Sequence, residues 1–427
     1  MPHAASRQFP GIGRRLRPLA ALFLLAALAA CGSGISSQSA ATKPPPTAAD
    51  QNAPPEPAPA PIAPVTQETP AAAATPPAST RTYGTAAILL PMTGPAASTA
   101  AALFNAAQLA LFEVADKSFT LVPYDTKGTP EGAAAAAQQA VANTPDIILG
   151  PLFATEVTAA APLARQAHIP IITFSADRTV AGAGVYVMGF LPGAQGLRVA
   201  AYAARHGKPR LAILAPSNDY GQRVAQEVAN GSGSLGILLA GTQYYDEASL
   251  DLTAPIRRLM KASTNGDVGF DAVLLPDEGQ RLRSVASSLA LNGIDLTRVK
   301  LLGTMLWSDS NPSAEPALLG GWYPMPATAA HADFNKRYAK TFGAQPPRIA
   351  SLGYDAMALA AVLARKTPRD FSDNALTNQS GFAGVDGLFR LLPDGTAERG
   401  YAIDEVGTNG TVQEVDPAPT SFGGPGT

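Results

Sequence analysis

The chain has 427 residues, a net charge of −2, and 15% charged against 46% hydrophobic residues. Neutralising nucleic-acid phosphates needs concentrated Lys and Arg, and no basic block follows the first few dozen residues, so this balance argues against nucleic-acid binding. One cysteine excludes an internal disulfide, and the histidines after His3 (His168, His206 and His331) share no metal-ligand spacing.

The sequence opens in the order of a secretory signal. Arg7, Arg14, Arg15 and Arg17 precede an apolar run from Leu19 to Ala30, too short to span a bilayer stably. Leu28-Ala29-Ala30-Cys31 places small residues before a cysteine, the pattern of a bacterial lipoprotein cleavage box. The expectation is a signal peptide over 1–30 and acyl chains on Cys31, each buried CH₂ worth about 0.8 kcal/mol. Gly32 follows, not the aspartate that retains lipoproteins at the inner membrane, so outer-membrane placement facing the periplasm is expected. Residues 31–81 then read as a disordered tether. Twelve of residues 41–80 are proline, and such a segment buries too little apolar surface to offset its ordering.

From Thr82 onward short apolar runs alternate with helical patterns. Strands are predicted at 86–90, 119–124, 146–149 and 169–173, with helices over 99–114, 131–141 and 155–166 between them. A second series has strands at 210–215, 236–244, 270–275 and 299–303 and helices over 220–229, 252–261 and 279–290. Two further helices, 330–342 and 349–364, precede short strands over 382–406. There, Phe389–Leu392, a turn at Pro393-Asp394-Gly395, and Tyr401–Ile403 read as a hairpin. This alternation implies parallel sheets covered on both faces, and about 345 residues suit two lobes better than one core. Gly231 to Gly236 fits a dinucleotide glycine pattern but precedes a strand, so it reads as a loop.

Several segments, taken in order, resemble the type I periplasmic binding proteins of the branched-chain amino acid receptor branch. They are Pro91-Met92-Thr93-Gly94 with the helix after it, Leu121 to Thr126, Ile148-Leu149-Gly150-Pro151, Pro170 to Ala176, Asn218-Asp219-Tyr220-Gly221, Gly353-Tyr354-Asp355-Ala356 and Gly384 to Phe389. The resemblance implies two α/β lobes, each a parallel sheet flanked by helices, joined by a three-crossing hinge around a cleft. On this reading 82–204 and 325–365 form lobe I, 205–324 and 366–412 form lobe II, and 413–427 is a flexible tail.

The resemblance also implies ligand contacts. Its receptors grip a ligand carboxylate with a serine after the Gly-Pro turn and a Ser-Ala-Thr segment, and meet the ammonium with a second-lobe tyrosine and an acidic group. Here Leu152-Phe153-Ala154 follows the turn, and Asp177 stands where threonine is expected, a charge that would repel a carboxylate. Arg178 either neutralises Asp177 or faces the cleft and binds an anion. Trp307 either stacks on a sugar or hydrophobic ligand or packs on the hinge. The cleft candidates are Thr93, Phe153, Ser175, Ala176, Asp177, Tyr220, Asp277 and Trp307. No catalytic set, cofactor or metal site is expected.

The lipidated cysteine and tether resemble a narrower group, the penicillin-binding protein activator lipoproteins. That resemblance implies a regulator of peptidoglycan synthesis, anchored by lipid through Cys31 and partnered with a bifunctional peptidoglycan synthase. The alternative is the solute-binding protein of an ABC importer for amino acids or a related small polar ligand.

Overall fold

The computed structural model describes residues 84–249, 251–260, 268–366, 368–408 and 410–423. The signal peptide, Cys31 and the tether lie outside them.

Strand β1 (Gly84–Leu90) is apolar from Ala86 to Leu90 because helices cover it on both faces. Ala86, Ile88 and Leu90 enter one cluster of buried side chains and Ala87 and Leu89 another, as the two-residue strand period demands. Helix α1 (Ala97–Val114), β2 (Phe119–Asp125), α2 (Pro130–Ala142), β3 (Ile147–Leu149), α3 (Ala154–Gln166), β4 (Ile171–Thr173) and β5 (Val185–Val187) follow. The five strands are all parallel, in the order β2-β1-β3-β4-β5. Chemistry at the helix starts sets their entry angles. Thr129 caps α2 by accepting from the Gly132 N–H at 3.0 Å, with Pro130 as the first helical residue.

The chain leaves this lobe at residues 188–191 and enters lobe II through α4 (Pro192–Arg205). Then come β6 (Arg210–Pro216), α5 (Asp219–Gly231), β7 (Leu238–Tyr245), α6 (Thr253–Met260), β8 (Ala272–Leu274), α7 (Gly279–Leu291), β9 (Lys300–Leu302) and β10 (Trp322–Met325). The same partition recurs here. Ala212 and Leu214 point into one cluster, and Leu211, Ile213 and Ala215 into the cluster under α4 and α5. Val199, Ala200, Tyr202 and Ala203 belong to that second cluster, so α4 is a lobe II element. The expected boundary at 204 therefore moves back to the 188–191 crossing.

A second crossing at 326–327 returns the chain to lobe I for α8 (Thr328–Phe342) and α9 (Ala350–Ala364). Helix α9 lies directly on α1. A Cβ on Gly353 would sit 2.2 Å from the Leu103 carbonyl oxygen, so the two backbones touch where only glycine fits. Strands β11 (Phe382–Gly384), β12 (Gly387–Leu391) and β13 (Ala397–Arg399) form a separate antiparallel sheet. Phe389, Leu391 and Ala397 of this sheet are buried in the lobe I cluster, whereas the sequence reading placed them in lobe II. The turn at 393–395 does make a hairpin, but its second strand is β13, not 401–403.

A third crossing at 400–401 leads to β14 (Ala402–Val406) and β15 (Val412–Asp416). They complete a seven-stranded lobe II sheet in the order β15-β14-β10-β9-β8-β6-β7. Strand β15 pairs antiparallel with β14, so 412–416 is part of the sheet and not a flexible tail. The architecture is thus two α/β lobes joined by three crossings.

Candidate ligand cleft between the lobes

In a parallel sheet, loops with freedom to vary leave from the carboxyl ends of the strands, which is where ligands of such folds bind. Each expected cleft residue follows such an end: Thr93 after β1, Phe153 after β3, Ser175, Ala176 and Asp177 after β4, Tyr220 after β6, Asp277 after β8 and Trp307 after β9.

On the lobe I side, Asp125 organises the loop that carries Thr93. Its carboxylate accepts from the Thr93 hydroxyl at 2.7 Å, from the Met92 N–H at 2.9 Å and from the Lys127 N–H at 2.8 Å. Partial burial opposes its ionisation, but these bonds outweigh it and hold Asp125 below the usual carboxylate range. Phe153 stands at the start of α3, 41% exposed, its N–H donating to Glu156 Oε2 at 3.0 Å. Ser175 is buried, and its Oγ accepts from the Asp177 N–H at 3.1 Å; Ala176 beside it is exposed.

On the lobe II side, Asn218 caps α5 by accepting from the Gly221 N–H at 2.8 Å, which sets Tyr220 in the first turn. The Tyr220 hydroxyl donates to Thr304 Oγ1 at 2.9 Å. Burial raises the pKa of this phenol, with Glu278, Tyr401 and Asp277 adding to the effect against the Thr304 bond, so it stays protonated and serves as a donor. Asp277 is buried. It accepts from the Tyr245 hydroxyl and, at 2.7 Å, from the Glu278 N–H. Burial raises its pKa, partly offset by the Tyr245 bond.

Trp307 does not reach the cleft. It is fully buried in the lobe II cluster, its Nε1 donating to the Leu275 carbonyl at 3.1 Å. A Cβ on Gly303 would fall 2.2 Å from its ring, and one on Gly321 2.7 Å, so two glycines make room for the indole. Neither stacking on a ligand nor packing on the hinge describes it.

Asp177 also differs from expectation. Its Oδ1 accepts from the Thr179 N–H at 3.0 Å and the Thr179 hydroxyl at 2.7 Å, and its Oδ2 pairs with Arg223 of α5 at 3.2 Å. Burial opposes ionisation here too, but the Thr179 bonds and Arg223 prevail and hold the carboxyl below its ordinary range. Arg178 reaches not to Asp177 but to Glu227 of α5, at 3.8 Å. Glu227 packs where Gly193 carries no side chain. Two oppositely oriented ion pairs therefore bridge the lobes here. At a second place Arg348, just before α9, donates to Ser308 Oγ at 2.9 Å and approaches Asp309 at 3.4 Å, again from lobe I to lobe II.

Sequence reasoning singled out Asp177 and Arg178 but missed Arg223, Glu227, Arg348, Ser308 and Asp309. Arg223 and Glu227 lie three and seven residues after Tyr220, on the same face of one helix, a spacing that could have flagged them. Nothing local marks Arg348 as a partner of a residue forty positions earlier.

Exposed ion pairs stabilise by roughly 0.2–1 kcal/mol each. Reversing one, Arg223→Glu, places a carboxylate against Asp177. The expected outcome is a more open average shape in small-angle scattering, equivalent to about 0.5–1 kcal/mol lost from the closed arrangement, restored by adding Asp177→Arg. An unchanged scattering profile would remove the clasp role from this pair.

Among the described residues no group of three His, Cys, Asp or Glu side chains is arranged to hold a metal ion.

Residues 85–411 match the profile of the periplasmic binding protein family, and the chain belongs to that family. Its members bind and do not catalyse, so this chain is a binding protein and not an enzyme. It is an exported, periplasmic protein, and the basic-then-apolar run that opens the sequence reads as the export signal.

An uncharacterised protein of Rickettsia prowazekii is 26% identical over 214 residues, 49% of this chain and 57% of that relative's length. Among solved structures, a branched-chain amino acid ABC transporter protein from Rhodospirillum rubrum superposes with a TM-score of 0.67 at 18% identity, over 78% of this chain and all of the other. A solute-binding protein of an ABC transporter from Rhodopseudomonas palustris, in complex with 3,4-dihydroxybenzoic acid, gives 0.57 at 22% identity over 80% and 98% of the two chains. A branched-chain amino acid transporter substrate-binding protein from Streptococcus pneumoniae, in complex with isoleucine, gives 0.53 at 19% identity over 79% and 100%. At such identities the likeness establishes the fold.

These findings overturn one expectation from the sequence. The penicillin-binding protein activator gives way to a member of the periplasmic binding protein family whose fold is that of the solved binding proteins above. The peptidoglycan synthase partner was implied by that resemblance and falls with it; the acyl anchor on Cys31 and the outer-membrane placement were read from residues outside the described ones, and these relatives lend them no support.

Proposed function

We propose that this chain is the solute-binding component of an ABC importer, closing its two lobes on a small polar ligand and presenting it to a membrane transport complex. The supporting observation is the pair of lobes hung on three short crossings, with charged contacts reaching across the gap at two places. A receptor of this build needs few bonds between its lobes, because the ligand supplies the rest on closure. Thr93, Phe153, Ser175 and Ala176 are the proposed lobe I lining, and Tyr220 and Asp277 the proposed lobe II lining. Tyr220 and Thr304 offer hydroxyls, Asp277 with Glu278 offers negative charge for a cationic group, and Phe153 offers an apolar face. Asp177 is assigned to the clasp with Arg223, which frees the cleft from its repulsion.

The ligands of the solved relatives set the panel: isoleucine and the other branched-chain amino acids, further zwitterionic amino acids, and aromatic acids such as 3,4-dihydroxybenzoate. Titration calorimetry of the purified chain is expected to give a one-to-one heat with at least one of them, with a Kd of ~1 μM or tighter, about −8 kcal/mol. Flat traces across the whole panel would overturn the reading.

A further inference from the structure

The three crossings meet a group of buried charges. Asp355 on α9 is 1% exposed. Its Oδ1 accepts from the Val385 N–H at 2.7 Å, while its Oδ2 makes no hydrogen bond and lies 3.9 Å from Arg399 Nη1. Arg399 ends β13, one residue before the third crossing. Its Nη2 donates at 2.9 Å to the carbonyl of Met188, in the first crossing. Its guanidinium lies over the rings of Phe190 and Phe389, at 5.0 and 5.2 Å, and its Nε and Nη1 carry no hydrogen bond. Asp386, also buried, accepts from Ser351 Oγ at 2.5 Å and pairs at 2.7 Å with Nδ1 of His331, in the first turns of α8 beyond the second crossing. The next residue, Gly387, lies against Ala327 in that crossing.

The titratable groups facing Asp355 are therefore Arg399 from β13 and Asp386 from the β11–β12 turn. His331 and the buried Tyr401 stand behind them. Helix α1, packed along α9, brings only Glu113, which is taken up by Arg337 and Tyr354. One guanidinium with two unsatisfied nitrogens faces two carboxylates, one of them with an unsatisfied oxygen. Such a half-satisfied buried network responds strongly to a single proton.

We infer that this cluster is a proton-operated lock on the hinge: ionised Asp355 holds Arg399, and through it the first and third crossings, against α9, and protonated Asp355 lets them go and changes how far the lobes open. Burial, with Asp386 second, raises the Asp355 pKa to about 7 against the pull of Arg399 and the Val385 and Asp386 amides, so the change falls near neutrality. The inference rests on the two-lobed hinge and on no ligand.

The test is a distance measurement between spin labels on the full chain without ligand. Cys31→Ser removes the native thiol, and Lys117→Cys and the exposed Leu291→Cys report lobe I and lobe II. A one-unit difference in the Asp355 pKa between two lobe arrangements changes their ratio about tenfold. A shift of that size is expected between pH 5.5 and 8.5, with its midpoint near 7. Asp355→Asn should abolish it. Asp386→Asn, which removes the neighbouring negative charge, should move the midpoint down. A pH-invariant distance distribution in the native chain overturns the lock, as does a shift that survives Asp355→Asn or a midpoint that Asp386→Asn leaves in place. None of these outcomes touches the receptor reading, which calorimetry decides separately.

Discussion

Trp307→Ala should lower the stability of the protein by about 3–5 kcal/mol, the usual cost of truncating a large buried aromatic. The indole is fully buried among lobe II side chains, and its Nε1 donates at 3.1 Å to the Leu275 carbonyl, which also accepts from the Asp277 N–H. Removing it leaves a cavity walled by Gly303 and Gly321, which have no side chains with which to fill it. Relaxation is therefore limited, and the loss should sit near the upper end of the range. Trp307→Phe keeps most of the volume and gives up the Leu275 bond, so about 1–3 kcal/mol is expected. Denaturant unfolding followed by circular dichroism reads both values. A Trp307→Ala protein of native stability that had lost ligand binding would return Trp307 to the cleft.

The two sheets were legible because β1, β6 and β8 are short apolar runs buried on both faces, with helix-forming stretches between them. Adjacent residues such as Ala86 and Ala87, or Ala212 and Ile213, serve opposite helix layers, so the strand interiors are apolar throughout and stand out. The lobe assignments at the crossings were less legible. Helix α4 is as rich in small residues as the lobe I helices, and it is its packing against β6 and α5 that shows which sheet it serves. The 382–399 sheet failed for another reason. Both the chosen partner, 401–403, and the true one, 397–399, lie within reach of the 393–395 turn, and local pattern cannot rank them.

The loops at the strand ends were legible residue by residue, but the side-chain pairs across them were not. The loops after the strands could be located, and Thr93, Phe153, Ala176 and Tyr220 follow the carboxyl ends of β1, β3, β4 and β6. What Asp177 does could not be read, because its partner lies on another lobe 46 positions away and the hydroxyl that steadies it is two residues on, in a turn of no fixed pattern. Trp307 was misjudged because tryptophan serves equally as a ligand platform and as core. The two glycines that accommodate it are distant from one another in sequence.

Arg399→Met should be strongly destabilising and should make the protein sensitive to pH. The native Asp355 carboxyl is raised, by burial first and by Asp386 second, to about 7 from an ordinary 3.8. Between those values the folded chain binds more protons than the unfolded one. The contribution of Asp355 to stability is therefore fully present below about pH 4 and lost as pH rises through about 7. Removing Arg399 takes away the one cation beside Asp355 and leaves its charge buried without a partner, a change that typically costs about 3–5 kcal/mol. It also pushes the Asp355 pKa higher, so the loss continues beyond pH 7 where the native chain has levelled off. Guanidinium unfolding at pH 5 and pH 8.5 is expected to show most of the penalty at the alkaline value, since at pH 5 a protonated Asp355 needs no counter-ion. Adding Asp355→Asn to Arg399→Met should recover most of the alkaline loss and flatten the pH dependence. A penalty equal at both pH values would assign Arg399 a packing role between Phe190 and Phe389 and remove the charge from the account of the waist.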